Sequence, residues 1–63
     1  MNKTELKLYL GLKIKEYRNK LGLSQEELAE RIGRNQRQIS LIEIGKSFPN
    51  PETIIALTDV FDC

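Results

Sequence analysis

The chain of 63 residues contains no histidine, and its one cysteine is the last residue, Cys63. These absences exclude a zinc site of cysteines and histidines, a catalytic pair that uses histidine, and a disulfide within the chain. The longest uncharged apolar segment, residues 53–58, is far shorter than the roughly 20 residues that span a bilayer. No signal-peptide pattern begins the chain. We therefore expect a cytoplasmic, non-enzymatic binding module without metal, cofactor or membrane partner.

The charges balance in number but not in position. Ten Lys and Arg residues and nine Asp and Glu residues give a net charge of +1. All ten basic residues lie in residues 1–46 together with six glutamates, whereas residues 47–63 contain three acidic residues and no basic one. A small domain with this distribution has one basic end and one acidic end. The total charge alone neither favours nor excludes a nucleic-acid partner.

The apolar spacing predicts four short helices and no strand in a single domain, residues 1–63. In the first helix, apolar residues recur at three- and four-residue intervals and predict one inward stripe, formed by Leu6, Leu10, Ile14, Tyr17 and Leu21. Gly22 suits the left-handed residue that ends this helix. Gly11 lies inside the stripe and weakens the prediction that the helix is continuous.

The second helix has the clearest start signal in the chain. Ser24 and Glu27 have the spacing of a capping box, and Leu23 and Leu28 have that of a hydrophobic staple. Leu28, Ala29 and Ile32 form its predicted inner face, and Gly33 ends it. Its outer face is predicted to carry two ion pairs between residues four apart, Glu27–Arg31 and Glu30–Arg34.

Asparagines begin the two remaining helices. Asn35 caps a third helix that ends at Gly45, and Ile39 and Ile42 form its inner face. Asn50 followed by Pro51 is a cap with proline at the first helical position. The fourth helix is predicted to turn three apolar residues inward, Ile54, Leu57 and Phe61.

Residues 25–44 have the pattern of a helix-turn-helix. Two short helices are joined by the tripeptide 33–35, and small Ala29 lies where the helices approach most closely. Gly33 provides the left-handed conformation that the turn requires. The shared core is predicted to contain Leu28, Ile32, Ile39 and Ile42.

Residues 21–29 (LGLSQEELA) and 39–46 (ISLIEIGK) resemble the phage repressor/Cro (Xre-type) helix-turn-helix DNA-binding domains. The resemblance covers about residues 10–61 and implies an all-α, lambda-repressor-like bundle that regulates transcription, as a repressor, by binding double-stranded DNA. It also implies a homodimer on a pseudo-palindromic operator. Arg34 departs from the family, which often has an apolar residue after the turn glycine. Many members carry a fifth helix, which this sequence does not predict, so we expect either a fragment or a minimal form.

The third helix is the predicted reading element. If Ile39 and Ile42 are buried, steps of about 100° place Arg37, Leu41 and Ile44 on the opposite side. Ser40 lies beside them and Gln36 at the N-terminal end, so four residues are predicted to read bases, Gln36, Arg37, Ser40 and Leu41. Two alternatives remain open. This face is simply solvated, or Leu41 and Ile44 contact a partner protein, as in an antitoxin or adaptor.

Three residues are predicted to bind phosphates. Gln25 lies at the N-terminus of the second helix, where unpaired backbone N–H groups and the helix dipole attract anions. The family resemblance implies the same role for Gln25 and for Lys46 just after the third helix. Asn35 opens that helix and completes the set. The alternative for Lys46 is an ordinary solvated loop lysine.

Two further features concern structure and assembly. Arg18 and Glu43 each lie close to the buried side of their helix, and two isolated half-buried charges would both be costly. We therefore predict an Arg18–Glu43 ion pair that braces the first helix against the third, as the matched family positions also imply. Phe48 either closes the core or lies in the dimer interface.

Overall fold

The computed structural model describes residues 1–62, so Cys63 lies outside the described part. It contains four α-helices in this order: α1 Lys3–Lys20, α2 Gln25–Ile32, α3 Gln36–Glu43 and α4 Pro51–Phe61. Residues 1–62 contain no strand, which confirms the all-α prediction. Nor is any helix within these residues both long and apolar enough to cross a membrane.

The predicted helix starts are confirmed. The Ser24 hydroxyl accepts a hydrogen bond from the Glu27 N–H at 3.0 Å, and the Glu27 carboxylate accepts one from the Ser24 N–H at 2.9 Å. Asn50 caps α4 by accepting from the Thr53 N–H at 2.8 Å, with Pro51 at the first helical position. These contacts lie within four residues of sequence, which is why the sequence alone predicts them.

A second capping box begins α3, and only one of its two hydrogen bonds was predicted from the sequence. Asn35 was predicted as the cap, and its side chain accepts from the Gln38 N–H at 2.9 Å. The Gln38 side chain in turn accepts from the Asn35 N–H at 3.1 Å. The signal was present, because a glutamine three residues after an asparagine cap has the spacing of a capping box.

The turn between α2 and α3 has the predicted glycine geometry. Gly33 has a φ of 71°, in the left-handed region that an L side chain rarely adopts. The N–H of Arg34 reaches back to the Ala29 carbonyl oxygen at 2.8 Å, which satisfies a terminal carbonyl of α2. The turn therefore ends one helix and begins the next within three residues.

The core lies where α2 and α3 meet α1 and α4. Leu28 and Ile39 are the most completely buried large side chains, with 0% and 1% of their surface exposed. The other buried apolar residues of the cluster are Ile14, Leu23, Ala29, Ile42 and Leu57. The predicted inner faces of α2 and α3 are thus confirmed, with Ile32 only partly buried.

The prediction for the inward stripe of α1 is largely wrong. Of that stripe Ile14 is buried and Leu10 is partly buried, while Leu6, Tyr17 and Leu21 are 38–48% exposed. The buried line instead contains Gly11, Ile14 and Arg18. A Cβ at Gly11 would clash with the Ile42 carbonyl oxygen and lie 2.7 Å from that of Glu43, so α1 crosses the end of α3 at this glycine. The helix continues through Gly11 without interruption.

Two other predictions need correction. In α4, Leu57 is buried as predicted, and Phe61 packs against the core cluster and stacks on Tyr17 with ring centroids 5.4 Å apart. The prediction is wrong for Ile54, which is 44% exposed, while Thr53 is buried instead. Within the described residues neither Glu27–Arg31 nor Glu30–Arg34 comes within ion-pair distance, although the charge of Arg31 contributes to the lowered pKa of Glu27. Other partners explain why neither Glu–Arg pair closes. The Glu27 carboxylate accepts the hydrogen bond of the capping box, and Arg34 reaches Asn50 at 3.4 Å and Glu52 at 3.8 Å.

Candidate nucleic-acid interface

The predicted Arg18–Glu43 ion pair is present and more deeply buried than the sequence indicated. The guanidinium donates twice, from Nε to Glu43 Oε2 at 2.6 Å and from Nη2 to Oε1 at 3.1 Å. Its Nη1 donates to the Leu23 carbonyl oxygen at 2.7 Å. The two side chains are only 11% and 1% exposed. This two-point contact fixes the angle between α1 and α3 and ties both to the loop before α2.

Gln25 joins the same network, which the sequence reading did not anticipate. Its Nε2 donates to Glu43 Oε1 at 3.0 Å, and the residue is partly buried at the start of α2. The amide nitrogen carries two hydrogens, so one remains for an acceptor outside the domain. The carboxylate of Glu43 therefore holds α1, α3 and the first side chain of α2 together.

The outer face of α3 carries the predicted reading residues in two groups. Gln36 and Arg37 are exposed, and no side-chain partner holds either within residues 1–62. Ser40 is partly buried, and Ile44 is 54% exposed just after the helix. The face therefore presents long polar side chains at its N-terminal end and an apolar one at its C-terminal end.

Leu41 differs from the sequence expectation of a fully outward side chain. It is partly buried and lines a shallow cavity with Gln38, Phe48 and Thr53. The cavity lies between α3, the loop after it and the start of α4. Leu41 therefore faces this cavity and keeps part of its surface accessible.

Asn35 and Lys46 flank α3 at its two ends. The Asn35 oxygen accepts the capping hydrogen bond from Gln38, while its Nδ2 takes no part in the cap. Lys46 is exposed in the loop after α3, and its backbone N–H donates to the Leu41 carbonyl oxygen at 2.9 Å. That hydrogen bond orders the backbone at Lys46, so the lysine extends from a defined position.

The acidic residues of α2 are accounted for by local contacts only in part. Hydrogen bonds from the Ser24 backbone N–H and then from its hydroxyl lower the pKa of Glu27 below its usual range. Glu27 is therefore committed to the cap. Glu26 and Glu30 are exposed, and nothing in the structure explains their presence.

Phe48 is exposed and is not part of the core cluster. Its side chain is 42% exposed, and the ammonium group of Lys7 lies 5.5 Å from the ring centroid. The ring also lines the cavity beside Leu41. Phe48 therefore does not close the core within the described residues, and it presents apolar surface to solvent.

The described residues contain no group of three or more His, Cys, Asp or Glu side chains arranged to hold a metal ion. The geometry instead defines two short helices across a glycine turn, with an exposed polar face on the second helix and a buried ion pair behind it. This arrangement is that of a helix-turn-helix domain.

Comparison with known proteins agrees with this class. The family model for helix-turn-helix domains matches residues 14–63, so the chain belongs to that family, of the phage repressor/Cro (Xre) type. It is similar to an uncharacterized HTH-type transcriptional regulator of Methanothermobacter thermautotrophicus, with 49% identity over 37 residues, 59% of this chain and 54% of the relative. The chain thus matches about half the length of that relative. A second uncharacterized HTH-type transcriptional regulator, from Archaeoglobus fulgidus, is 38% identical over 50 residues, 79% of this chain and 70% of the relative.

Proposed function

We propose that the protein is a sequence-specific double-stranded DNA-binding regulator of transcription that reads the major groove with α3. The observation that carries the proposal is the state of Gln36 and Arg37. Both side chains are exposed at the N-terminal end of α3 and have no partner within the described residues, although the helix beneath them is firmly held. In a helix that enters the major groove, this end contacts the base edges.

The residue types suit base readout. Arginine can donate two hydrogen bonds to the O6 and N7 atoms of guanine, and glutamine can pair in the same two-point manner with adenine. Ser40 can bond to either kind of base, and the accessible side of Leu41 can contact a thymine methyl group. Arg37 and Gln36 therefore carry most of the proposed specificity.

Phosphate contacts would hold the helix in its groove. The second N–H of the Gln25 amide, the Nδ2 of Asn35 and the ammonium group of Lys46 are donors at the ends of α2 and α3. Because Glu43 holds the Gln25 amide, that contact is already oriented before DNA arrives. Such contacts set the register on the duplex without reading sequence.

We propose further that the regulator acts as a repressor and binds a pseudo-palindromic operator as a homodimer. Half-sites read by this fold are separated by about one helical turn, roughly 34 Å, which requires two copies in a fixed relation. A small domain that occupies an operator can repress by excluding other proteins from it. The family membership and the names of the two relatives support regulation in general.

The experiment compares Arg37→Ala with Lys46→Ala, which removes a positive charge from a residue proposed to bind phosphate. After selection of a preferred site from a random duplex library, binding is titrated on that site and its single-base variants at several salt concentrations. Arg37→Ala should cost about 1–3 kcal/mol on the preferred site and relax selectivity at one position per half-site. Lys46→Ala should weaken all sequences equally and lower the salt slope by roughly one per monomer.

Equal loss of affinity on every sequence with Arg37→Ala would make Arg37 a phosphate contact and contradict the assigned reading face. Absence of salt-dependent binding to any duplex would contradict DNA binding itself. In that case the partly apolar end of α3 at Leu41 and Ile44 becomes the surface to test against protein partners, as in an antitoxin or adaptor.

A further inference from the structure

One face of α1 carries a stripe of four exposed residues that is complementary to itself. Glu5, Leu8, Leu12 and Lys15 follow one another at intervals of three, four and three residues, which places them on one side of the helix. Leu8 is 52% exposed and Leu12 is 54% exposed, and both charged residues are also exposed. The stripe lies beside the buried line of α1 and does not take part in the core.

The order of the stripe is symmetric. Reversing it about its midpoint exchanges Glu5 with Lys15 and Leu8 with Leu12. A second α1 placed antiparallel against this face would therefore bring each carboxylate beside an ammonium group and each leucine beside a leucine. A two-fold interface requires this property, because the same surface patch contributes from both subunits.

The two terminal charges are not used within the domain. Three neighbouring charges of α1 do have partners: Lys13 pairs with Glu16 at 3.5 Å, and Lys7 lies over the Phe48 ring. No ion pair or aromatic contact engages the side chain of Glu5 or of Lys15 within residues 1–62. Their charges are therefore available to a second molecule.

We propose that a second copy of this chain docks antiparallel on this face of α1, with Glu5 against Lys15 and Leu8 against Leu12 on both sides of the two-fold axis. The loop after α3 supports this face, because a Cβ at Gly45 would clash with Leu8 Cδ2 and lie 3.2 Å from the Leu8 Cα. One side of the Leu8 side chain therefore rests on that loop, and the exposed half of its surface faces solvent. This interface rests on the homodimer proposed above, and dimerisation through α1 would fix the relative position of two copies of α3.

The face lies mostly outside the region that defines the family. The family model begins at residue 14, so Glu5, Leu8 and Leu12 precede it. One helix face buries less than the about 800 Å² per partner of a standard interface. We therefore expect a weak dimer, with a dissociation constant on the order of 100 μM, which binding to two adjacent half-sites would strengthen.

The test is sedimentation equilibrium of the whole chain without DNA, over a concentration series that reaches about 1 mM. Glu5→Lys alone and Lys15→Glu alone each place like charges together twice per dimer and should raise the dissociation constant about tenfold. The double swap Glu5→Lys with Lys15→Glu should restore dimerisation. Glu30→Lys on α2 is the matched control, since it makes the same charge change at an exposed position away from the face, and it should have no effect.

The exposed leucines provide a second measurement. Leu8→Ser and Leu12→Ser should each abolish the dimer while circular dichroism shows an intact fold. A monomer at every concentration, or a dimer whose strength does not respond to the charge swaps, overturns the proposal. So does a dimer lost in Phe48→Ser but kept in the leucine variants, which would place the interface at the loop after α3. DNA is absent throughout, so failure here leaves the proposed reading function untouched.

Discussion

The helix-turn-helix of α2 and α3 buries its apolar side chains more completely than α1 and α4 do. In the first region Leu28 and Ile39 are almost fully buried, and both helices begin with a complete capping box. In the second, Leu12 and Ile55 are 54% and 62% exposed. The difference shows that the close packing of the domain is concentrated where it holds α3, whereas α1 and α4 leave large apolar side chains exposed to solvent.

The largest expected effect is at the buried Arg18–Glu43 ion pair, which joins α1 to the closely packed helix-turn-helix. Glu43→Ala should lower the free energy of unfolding by about 3–5 kcal/mol, because it leaves the Arg18 guanidinium buried and Gln25 without its acceptor. Thermal and urea denaturation measure the loss. Glu30→Ala, an exposed glutamate of α2, is the control and should change stability by less than about 0.5 kcal/mol.

A double-mutant cycle sharpens that result. Arg18→Met keeps the aliphatic stem and removes the charge, so the double variant Arg18→Met with Glu43→Ala should be much less destabilised than the sum of the single variants. Additive effects would show that the two side chains do not act as a pair.

A smaller effect is expected where the two regions touch. Gly11→Ala should lower the free energy of unfolding by about 1–3 kcal/mol, because the new methyl group meets the backbone carbonyls of Ile42 and Glu43. Lys15→Ala at an exposed position of the same helix is the control, since it introduces the same side chain without a clash. If Gly11→Ala stabilises the protein, as helix propensity alone would predict, then α1 does not cross α3 at this glycine.

The smallest effect concerns the cap of α2 and depends on pH. The hydrogen bonds from Ser24 lower the pKa of folded Glu27 below its ordinary value of 4.5. The ionised carboxylate therefore stabilises the folded protein above the pKa of the unfolded chain, and this contribution is lost as the pH falls through the lower folded pKa. Glu27→Gln keeps an acceptor for the capping box but removes the charge.

We expect the melting temperature of wild type to exceed that of Glu27→Gln at pH 7, and the gap to close as the pH falls below about 4. Glu30→Gln lies on the same helix without a capping contact and should show no such gap. A gap between wild type and Glu27→Gln that stays constant with pH would contradict an ionic contribution from Glu27.

The sequence predicted the ion pair and the exposed face of α3, but not the hydrogen bond that links α2 to them. The ion pair Arg18–Glu43 and the exposed positions of Gln36 and Arg37 follow from helical periodicity together with the cost of unpaired buried charge. The hydrogen bond from Gln25 to Glu43 could not be predicted, because it depends on how closely α2 approaches α3 in space. Periodicity gives the direction of a side chain but not the distance to its neighbour.

Local chemistry by itself determined the number of helices, their ends and the turn at Gly33. Caps, left-handed glycines and the Asn50–Pro51 start act over three or four residues, where chain connectivity already places the partners together. Only the tertiary structure decided which side of α1 is buried. Apolar spacing favoured the line through Leu6, but contact requires close approach, and Gly11 is the residue of α1 that lets the carbonyls at the end of α3 approach its backbone.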